Sequence, residues 1–189
     1  ARPEVLAGGL GSVARLLPMR EELIKPLAGW LFSKRQFTPA EGFGAGLVCG
    51  ASFALLESTL ALTAVTGDDW AFTVLGRVGA GLLHTVLSGL NGWALASAWQ
   101  DHKFIRLGAT YLFTVLVHGA WNLFAVFAGL KLAGDQLPLD LSPLLKNSAL
   151  WVLGGLALLM LAVLIIANRW LRPVETPPVL PPETPPLLG

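Results

Sequence analysis

Four long apolar runs dominate the pattern of hydrophobic and polar positions along the chain. Each has 22 to 25 residues, and Glu57 is the one Asp, Glu, Lys or Arg inside them. The runs are Gly42–Thr66, Val78–Gln100, Leu107–Leu130 and Asn147–Asn168. A helix needs about 20 residues to cross roughly 30 Å of hydrocarbon, where it satisfies its own backbone hydrogen bonds. The pattern therefore predicts four transmembrane helices.

Residues 1–32 have a different pattern, with charged side chains scattered among apolar ones. From Arg15 onward its charged residues are Arg15, Arg20, Glu21, Glu22 and Lys25. This segment is either an amphipathic helix on the membrane surface or a helix whose charged face is buried in the bundle. Pro18 can open such a helix at its first turn, and Pro26 predicts a kink or a break.

Composition agrees with a membrane protein, since 54% of residues are hydrophobic and 13% are charged. We predict an all-α polytopic transmembrane bundle, with four full spans plus a kinked charged helix lining the site, over residues 1–171. Residues 172–189 are rich in proline, which predicts a disordered cytoplasmic tail. A net charge of +1 gives no basis for a nucleic-acid partner.

Basic residues cluster on alternate connections and predict the orientation in the membrane. They are Lys34, Arg35, Lys103, Arg106, Arg169 and Arg172. The short connection after the first span instead carries Asp68 and Asp69. By the positive-inside rule, the basic connections and the C-terminus lie on the cytoplasmic side.

Three ionisable residues lie deep within separate spans. Glu57, His84 and His118 lie roughly 21, 24 and 17 Å from the cytoplasmic ends of their helices, at about 1.5 Å per residue. Glu22 lies about 18 Å from the basic Lys34–Arg35 boundary if its helix continues to it. A charged side chain at the centre of a bilayer costs at least ~2.5 kcal/mol, so such residues usually face the interior of a bundle and pair with one another. The similar depths of these four residues therefore predict one shared site.

Polar residues also share helix faces. His118 and Asn122 are separated by one turn, and His84, Ser88 and Asn91 form a polar stripe. Glu21 and Lys25, also one turn apart, can neutralise each other and leave Glu22 free. Several glycines on the second span permit close helix approach, namely 76, 79, 81, 89 and 92.

Carboxylates and imidazoles in a buried site are typical of a hydrolase that activates water. The chain has no GxSxG motif and no HExxH motif. Glu22, Glu57, His84 and His118 are candidate ligands of zinc or another divalent metal, but the same residues could act without one. Two other interpretations stay open: a proton-coupled transporter that uses Glu57 and the histidine pair, and a non-catalytic membrane scaffold.

Four short motifs, in matching order, resemble those of the PrsW family of intramembrane proteases. They are EELIK at Glu21–Lys25, FALLE at Phe53–Glu57, HTVLSGLNG at His84–Gly92 and HGAWN at His118–Asn122. The chain departs from the family pattern at Ser52 and Ser58, where the family commonly has Gly and Asn. Pro26 directly after the motif lysine is a further departure, and it puts helix geometry in question.

The resemblance implies an endopeptidase that cleaves membrane-anchored proteins, such as an anti-sigma factor, in a prokaryotic plasma membrane. It implies catalytic roles for Glu21, Glu22, His84 and His118, and supporting roles for Lys25, Glu57 and Asn122. We expect Glu22, with or without Glu21, to act as general base, its pKa raised by the apolar setting. His84 and His118 would hold the oxyanion, directly or through a metal, and Asn122 would orient His118 or donate to the same oxygen.

Overall fold

Five helices make up the computed structural model, which describes residues 16–32, 37–63, 65, 70–132 and 143–171. The helices are α1 (Leu17–Phe32), α2 (Pro39–Thr63), α3 (Trp70–Asp101), α4 (Phe104–Leu132) and α5 (Pro143–Trp170). The prediction of an all-α polytopic bundle is confirmed. Lys34, Arg35, Asp68, Asp69, Arg172 and the proline-rich tail lie outside the described residues, so the predictions that rest on them stay predictions.

The four predicted spans coincide with the four helices that are long and apolar enough to cross a membrane. These are Pro39–Thr63, Trp70–Asp101, Phe104–Leu130 and Asn147–Trp170. Large apolar side chains such as Leu55, Ile105 and Trp151 are exposed on the outside of the bundle, where lipid would surround them. Helix α3 begins at Trp70 rather than at Val78, so it includes Arg77.

Helix α1 begins as its sequence predicts, with Pro18 in the first turn, where a missing N–H is tolerated. The helix continues through Pro26 to Phe32, so the break that we allowed for at Pro26 is absent. Tyr111 of α4 donates a hydrogen bond from its hydroxyl to the Met19 carbonyl oxygen, at 2.9 Å. Helix α1 is thus attached to the bundle near its first turns.

The start of α2 is fixed by a reciprocal cap. The Thr38 backbone N–H donates to Glu41 Oε2 at 2.9 Å, and the Glu41 backbone N–H donates to Thr38 Oγ1 at 3.3 Å. Pro39 occupies the first helical position, where its fixed φ favours helix initiation. This capping box satisfies N–H groups that a helix start otherwise leaves unpaired.

Helices α2 and α3 pack with their backbones almost in contact. Gly42, Gly46 and Gly50 lie on one face of α2, and a Cβ on any of them would overlap the backbone of α3. Gly92 faces these glycines from α3, since a Cβ there would overlap the Gly42 backbone. Small residues at helix interfaces in membranes allow this close approach. We call Gly42, Gly46, Gly50, Gly89 and Gly92 the glycine interface.

The predicted close approach through α3 glycines is confirmed in part. Gly89 packs against Leu47 and Phe43 of α2, and Gly79 lies against the Trp121 ring of α4. Gly76 faces no neighbour within 4 Å among the described residues, so its predicted packing role is wrong.

The apolar core lies where α3, α4 and α5 meet. Leu83, Val86 and Leu87 of α3 are fully buried, and they pack with Trp121 of α4 and Met160 of α5. The opposite faces of α3 and α4 carry polar residues toward α1. The core therefore sets the depth and rotation at which α3 and α4 present their histidines.

Candidate active site

Five ionisable side chains meet where α1, α3 and α4 converge. Three come from α1, at successive positions of its inner face, and one each from α3 and α4. They are Glu21, Glu22, Lys25, His84 and His118, and we call them the polar cluster. Glu22 is 0% exposed, and the two histidines are 2% exposed. Helices far apart in the sequence thus place these groups in one buried site.

Lys25 lies in the middle of the polar cluster. Its Nζ is 2.8 Å from His84 Nδ1, 3.0 Å from Glu22 Oε1 and 3.3 Å from Glu21 Oε2. The predicted Glu21–Lys25 pair is therefore present. The expectation that this pair leaves Glu22 free is wrong, because Lys25 also binds Glu22.

His118 lies between the two glutamates. Its Nδ1 is 3.0 Å from Glu22 Oε1, and its Nε2 is 3.8 Å from Glu21 Oε2. An ionised carboxylate only accepts hydrogen bonds, so Nδ1 carries the proton that is donated to Glu22. In a neutral ring, Nε2 then presents a lone pair toward Glu21.

His84 has a partner at each ring nitrogen. Lys25 Nζ lies 2.8 Å from Nδ1, and Glu57 Oε2 lies 2.9 Å from Nε2. An ammonium can only donate and a carboxylate can only accept, so this pairing fixes the tautomer with the proton on Nε2. The ring also packs edge to face on His118, with centroids 4.8 Å apart.

Glu57 tolerates its place in an apolar span because it is paired with Arg77. Arg77 Nη2 donates to Glu57 Oε2 at 2.7 Å, and Arg77 Nε donates to Ser58 Oγ at 3.1 Å. Arg77 was missed from the sequence because the predicted second span started at Val78, directly after this charge. Its spacing from His84, two turns along the same helix, was the available signal.

Asn91, like Arg77, contacts the site residues but was not predicted from the sequence to belong to the site. Its side-chain amide donates to Glu22 Oε2 at 3.0 Å and to Thr114 Oγ1 at 3.0 Å, and Asn91 is 1% exposed. The polar stripe with His84 and Ser88 was the signal for it. Asn122 lies one turn after His118 on α4 and is partly buried, and its role stays a prediction.

The electrostatics of Glu22 differ from expectation. Burial alone raises the pKa of the Glu22 carboxyl, but the hydrogen bond from His118 and the positive charge of Lys25 outweigh burial. The pKa of Glu22 is therefore lowered from its usual range, whereas we expected it to be raised. In this arrangement Glu22 is an ionised acceptor of hydrogen bonds.

Three residues of the polar cluster are arranged so that they could hold a metal ion. Glu21, His84 and His118 each offer one atom, and these atoms all lie within 4.8 Å of one another. The predicted set was Glu22, Glu57, His84 and His118. In the structure Glu22 and Glu57 instead contact imidazole nitrogens, one on each histidine.

A cavity of about 440 Å³ lies beside the polar cluster, between α1, α3 and α4. Its walls are mostly apolar, and Glu22 and Asn91 form part of them. The other lining residues are Leu23, Pro26, Leu95, Phe104, Leu107, Gly108 and Tyr111. Glu22, which is fully buried, is thus the residue with a carboxylate among those that line this cavity.

Comparison with known protein families matches residues 6–167 to the family described as PrsW family intramembrane metalloprotease. The match includes all five helices except the last residues of α5. The comparisons with curated proteins and with solved structures found no significant match.

Proposed function

Because the chain belongs to the PrsW family of intramembrane metalloproteases, we propose that its polar cluster hydrolyses peptide bonds of membrane-anchored proteins. The observation that carries the proposal is the contact of two carboxylates and two imidazoles from three helices in one buried site. Hydrolysis within a membrane needs a base, positive charge for the oxyanion and restricted water. An anti-sigma factor is a candidate substrate that the family resemblance supplies.

The hydrogen-bond pattern favours a metal over direct oxyanion binding by the histidines. Each imidazole donates its N–H to a glutamate, so neither directs a free N–H into the site. His118 can direct the lone pair of Nε2 there instead, and His84 the lone pair of Nδ1, which in the structure accepts from Lys25. Glu21, His84 and His118 would hold the metal, and two His with one Glu is a donor set typical of catalytic zinc. A metal held there supplies positive charge that stabilises the developing oxyanion.

Glu22 would act as the general base. Its Oε1 accepts from His118 and Lys25, and its Oε2 accepts from Asn91, so one acceptor position of the carboxylate is still available. Glu22 takes a proton from water as the water oxygen bonds to the substrate carbonyl carbon. The carbon–nitrogen bond then breaks, and the proton passes to the leaving amine. The products are a carboxylate and an amine.

Other polar residues would hold the reacting groups in place. Asn91 fixes the carboxylate plane of Glu22, and Glu57 fixes the ring of His84. Such partners orient ligands and set which nitrogen is available. Asn122, one turn from His118, would orient that ring or donate to the substrate oxygen.

The substrate would reach Glu22 through the cavity between α1, α3 and α4. Its apolar lining suits the apolar side chains of a membrane-anchored segment, and Glu22 lies in its wall. We expect residues next to the scissile bond to occupy it.

The test is cleavage of a membrane-anchored reporter protein by the purified chain in lipid vesicles. We expect wild-type protein to cleave it, a chelator to stop cleavage and added Zn²⁺ to restore it. Glu22→Gln should lose activity, and Glu41→Gln is the matched control because Glu41 is an exposed capping residue. Full activity of Glu22→Gln would refute the role of Glu22 and favour the transporter or scaffold interpretation.

A further inference from the structure

Lys25 is surrounded by the groups that would bind a metal. Its ammonium has three N–H donors, and three acceptors lie within hydrogen-bond distance: Glu21, Glu22 and His84. The Nζ also lies 4.3 Å from the centre of the Phe53 ring, and Lys25 is 4% exposed. A buried cation with every donor used thus occupies the centre of the site.

His84 cannot coordinate a metal while both of its present partners stay. Its Nδ1 faces Lys25 and its Nε2 faces Glu57, so neither nitrogen has a free lone pair. Glu57 Oε2, the oxygen that contacts His84 Nε2, also accepts a hydrogen bond from Arg77 Nη2 at 2.7 Å. The described contacts of the Lys25 ammonium are instead with Glu21, Glu22, His84 and the Phe53 ring. Coordination of a metal by His84 therefore requires that one of these two partners leaves.

Charge determines which partner leaves, because a divalent metal attracts the Glu57 carboxylate and repels the Lys25 ammonium. A divalent metal at Glu21, His84 and His118 would lie next to the Lys25 ammonium, and two cations in a buried site repel each other strongly. The displaced side chain would move toward the cavity beside Glu22, whose lining includes Leu23 and Pro26, on either side of Lys25 in α1.

We propose that Lys25 is an internal cation that occupies the metal site in the metal-free protein and leaves it when a divalent metal binds. This inference rests on the metal ligands of the proposed function. In the metal-free protein, Lys25 keeps the two glutamates and His84 together. When Lys25 leaves, one nitrogen of His84 becomes free to coordinate, and Glu22 regains an acceptor position for water.

Removal of the competing ammonium should make metal binding tighter. Lys25→Met keeps the length of the side chain and removes its charge, and Lys103→Met is the control because Lys103 pairs with Asp101 at an exposed turn. If the lysine-out state is populated at 10% or less, the dissociation constant of Lys25→Met for Co²⁺ falls about tenfold or more. The measurement is titration of the Co²⁺ absorption band against a competing chelator at fixed pH.

Thermal unfolding gives a second readout. Without metal, Lys25→Met should unfold at a lower temperature than wild type, because its carboxylates lose their cation. Saturating Zn²⁺ should raise its midpoint by more than it raises that of wild type. A dissociation constant for Lys25→Met equal to or weaker than wild type overturns the proposal, and so does the absence of Co²⁺ binding to both proteins.

A third measurement needs no variant at position 25, in case Lys25→Met does not fold. Amine-reactive labelling of wild-type protein is mapped by mass spectrometry, with Lys103 as the exposed internal reference. Zn²⁺ should increase labelling at Lys25 several-fold and leave Lys103 unchanged, and protected Lys25 in Zn²⁺-loaded protein contradicts the proposal. Chelator-sensitive cleavage with Lys25 still protected would leave the proposed function standing, whereas displacement without cleavage would not.

Discussion

Two interfaces of α3 differ in the kind of residue that forms them: one consists of glycines and the other of charged side chains. On one face, the glycine interface brings α2 and α3 together through small residues whose backbones almost touch. On the other, the polar cluster joins α3 to α1 and α4 through charged side chains that are almost fully buried. One helix thus carries both a packing surface and a reactive surface.

Because the two interfaces differ in composition, substitutions in one should mainly change stability and substitutions in the other should mainly change activity. In the glycine interface, contact depends on shape, and an added Cβ would overlap a facing backbone at four of the five glycines and the Leu47 and Phe43 side chains at Gly89. In the polar cluster, the buried groups form ion pairs whose desolvation costs offset much of their attraction, so they are weak evidence of stabilisation. Substitutions in the cluster that leave the pairs of Lys25 with Glu21 and Glu22 intact should therefore reduce activity more than stability, and changes in the glycine interface should do the reverse.

The largest expected effect is loss of activity from His118→Ala. The His118 ring contacts Glu22, and its Nε2 lies 3.8 Å from Glu21, so its removal takes away a proposed metal ligand and the partner of the proposed base. We expect cleavage to fall by about 10²–10⁴. The thermal midpoint should change little, and the assay is reporter cleavage in vesicles alongside unfolding in detergent. Near-wild-type cleavage would remove His118 from the site.

The predictability of the two interfaces also differs. The uncharged runs were sufficient to predict four spans, because hydrocarbon excludes charges regardless of tertiary contacts. Arg77 is an exception, because its charge is neutralised by Glu57 on another helix. The hydrophobicity of one segment does not reveal a pairing between two helices. The start of α3 was therefore placed too late.

The polar cluster was predictable in membership and less so in pairing. Equal depth placed Glu22, His84 and His118 together, and the structure brings them together. The partners of Lys25 and Asn91 depend on how α1 is rotated against α3 and α4, which the spacing along one helix does not determine. For that reason the binding of Lys25 to Glu22 and His84, and of Asn91 to Glu22, was not predicted.

A substitution in the glycine interface should have the second-largest effect. Gly46→Leu places a side chain against the Ser88 and Gly89 backbone. We expect overpacking to destabilise the protein by about 1–3 kcal/mol, measured as a lower unfolding midpoint in detergent. Gly44→Leu is the matched control, because Gly44 is on the same helix and faces no atom within 4 Å among the described residues. Equal effects of the two variants would contradict the packing argument.

The third-largest effect is expected for Arg77→Met, which should weaken metal binding without removing a proposed ligand. Loss of Arg77 leaves Glu57 without its guanidinium partner, and Glu57 is the group that fixes the His84 ring. Metal affinity should fall about 10- to 100-fold, as for other partners that orient metal ligands. Arg106→Met is the control, since Arg106 stacks on Trp93 instead. Unchanged Co²⁺ affinity of Arg77→Met would show that Glu57 does not position His84.

Gly108→Leu should change selectivity rather than the chemistry. Gly108 lines the cavity beside Glu22, and no atom within 4 Å would obstruct a new side chain there among the described residues. We expect substrates with large residues beside the scissile bond to lose about tenfold in kcat/KM, while substrates with small residues are retained. Gly129→Leu, at an open position of the same helix that does not line this cavity, is the control. An unchanged substrate profile would place the substrate elsewhere.

The smallest expected effect is that of Tyr111→Phe, which removes the hydrogen bond from the Tyr111 hydroxyl to the Met19 carbonyl oxygen. Hydrogen bonds between helices in membranes are worth about 0.6 kcal/mol on average, which corresponds to a roughly threefold change in local opening. Hydrogen exchange of the α1 amides should therefore rise about threefold, while exchange at the α2–α3 glycine interface stays at its wild-type rate. If the contacts of the polar cluster hold α1 in place, losing one neutral bond outside the cluster cannot release it. A far larger rise in α1 exchange would mean that α1 is attached mainly at Met19, and that the buried charges contribute little to its position.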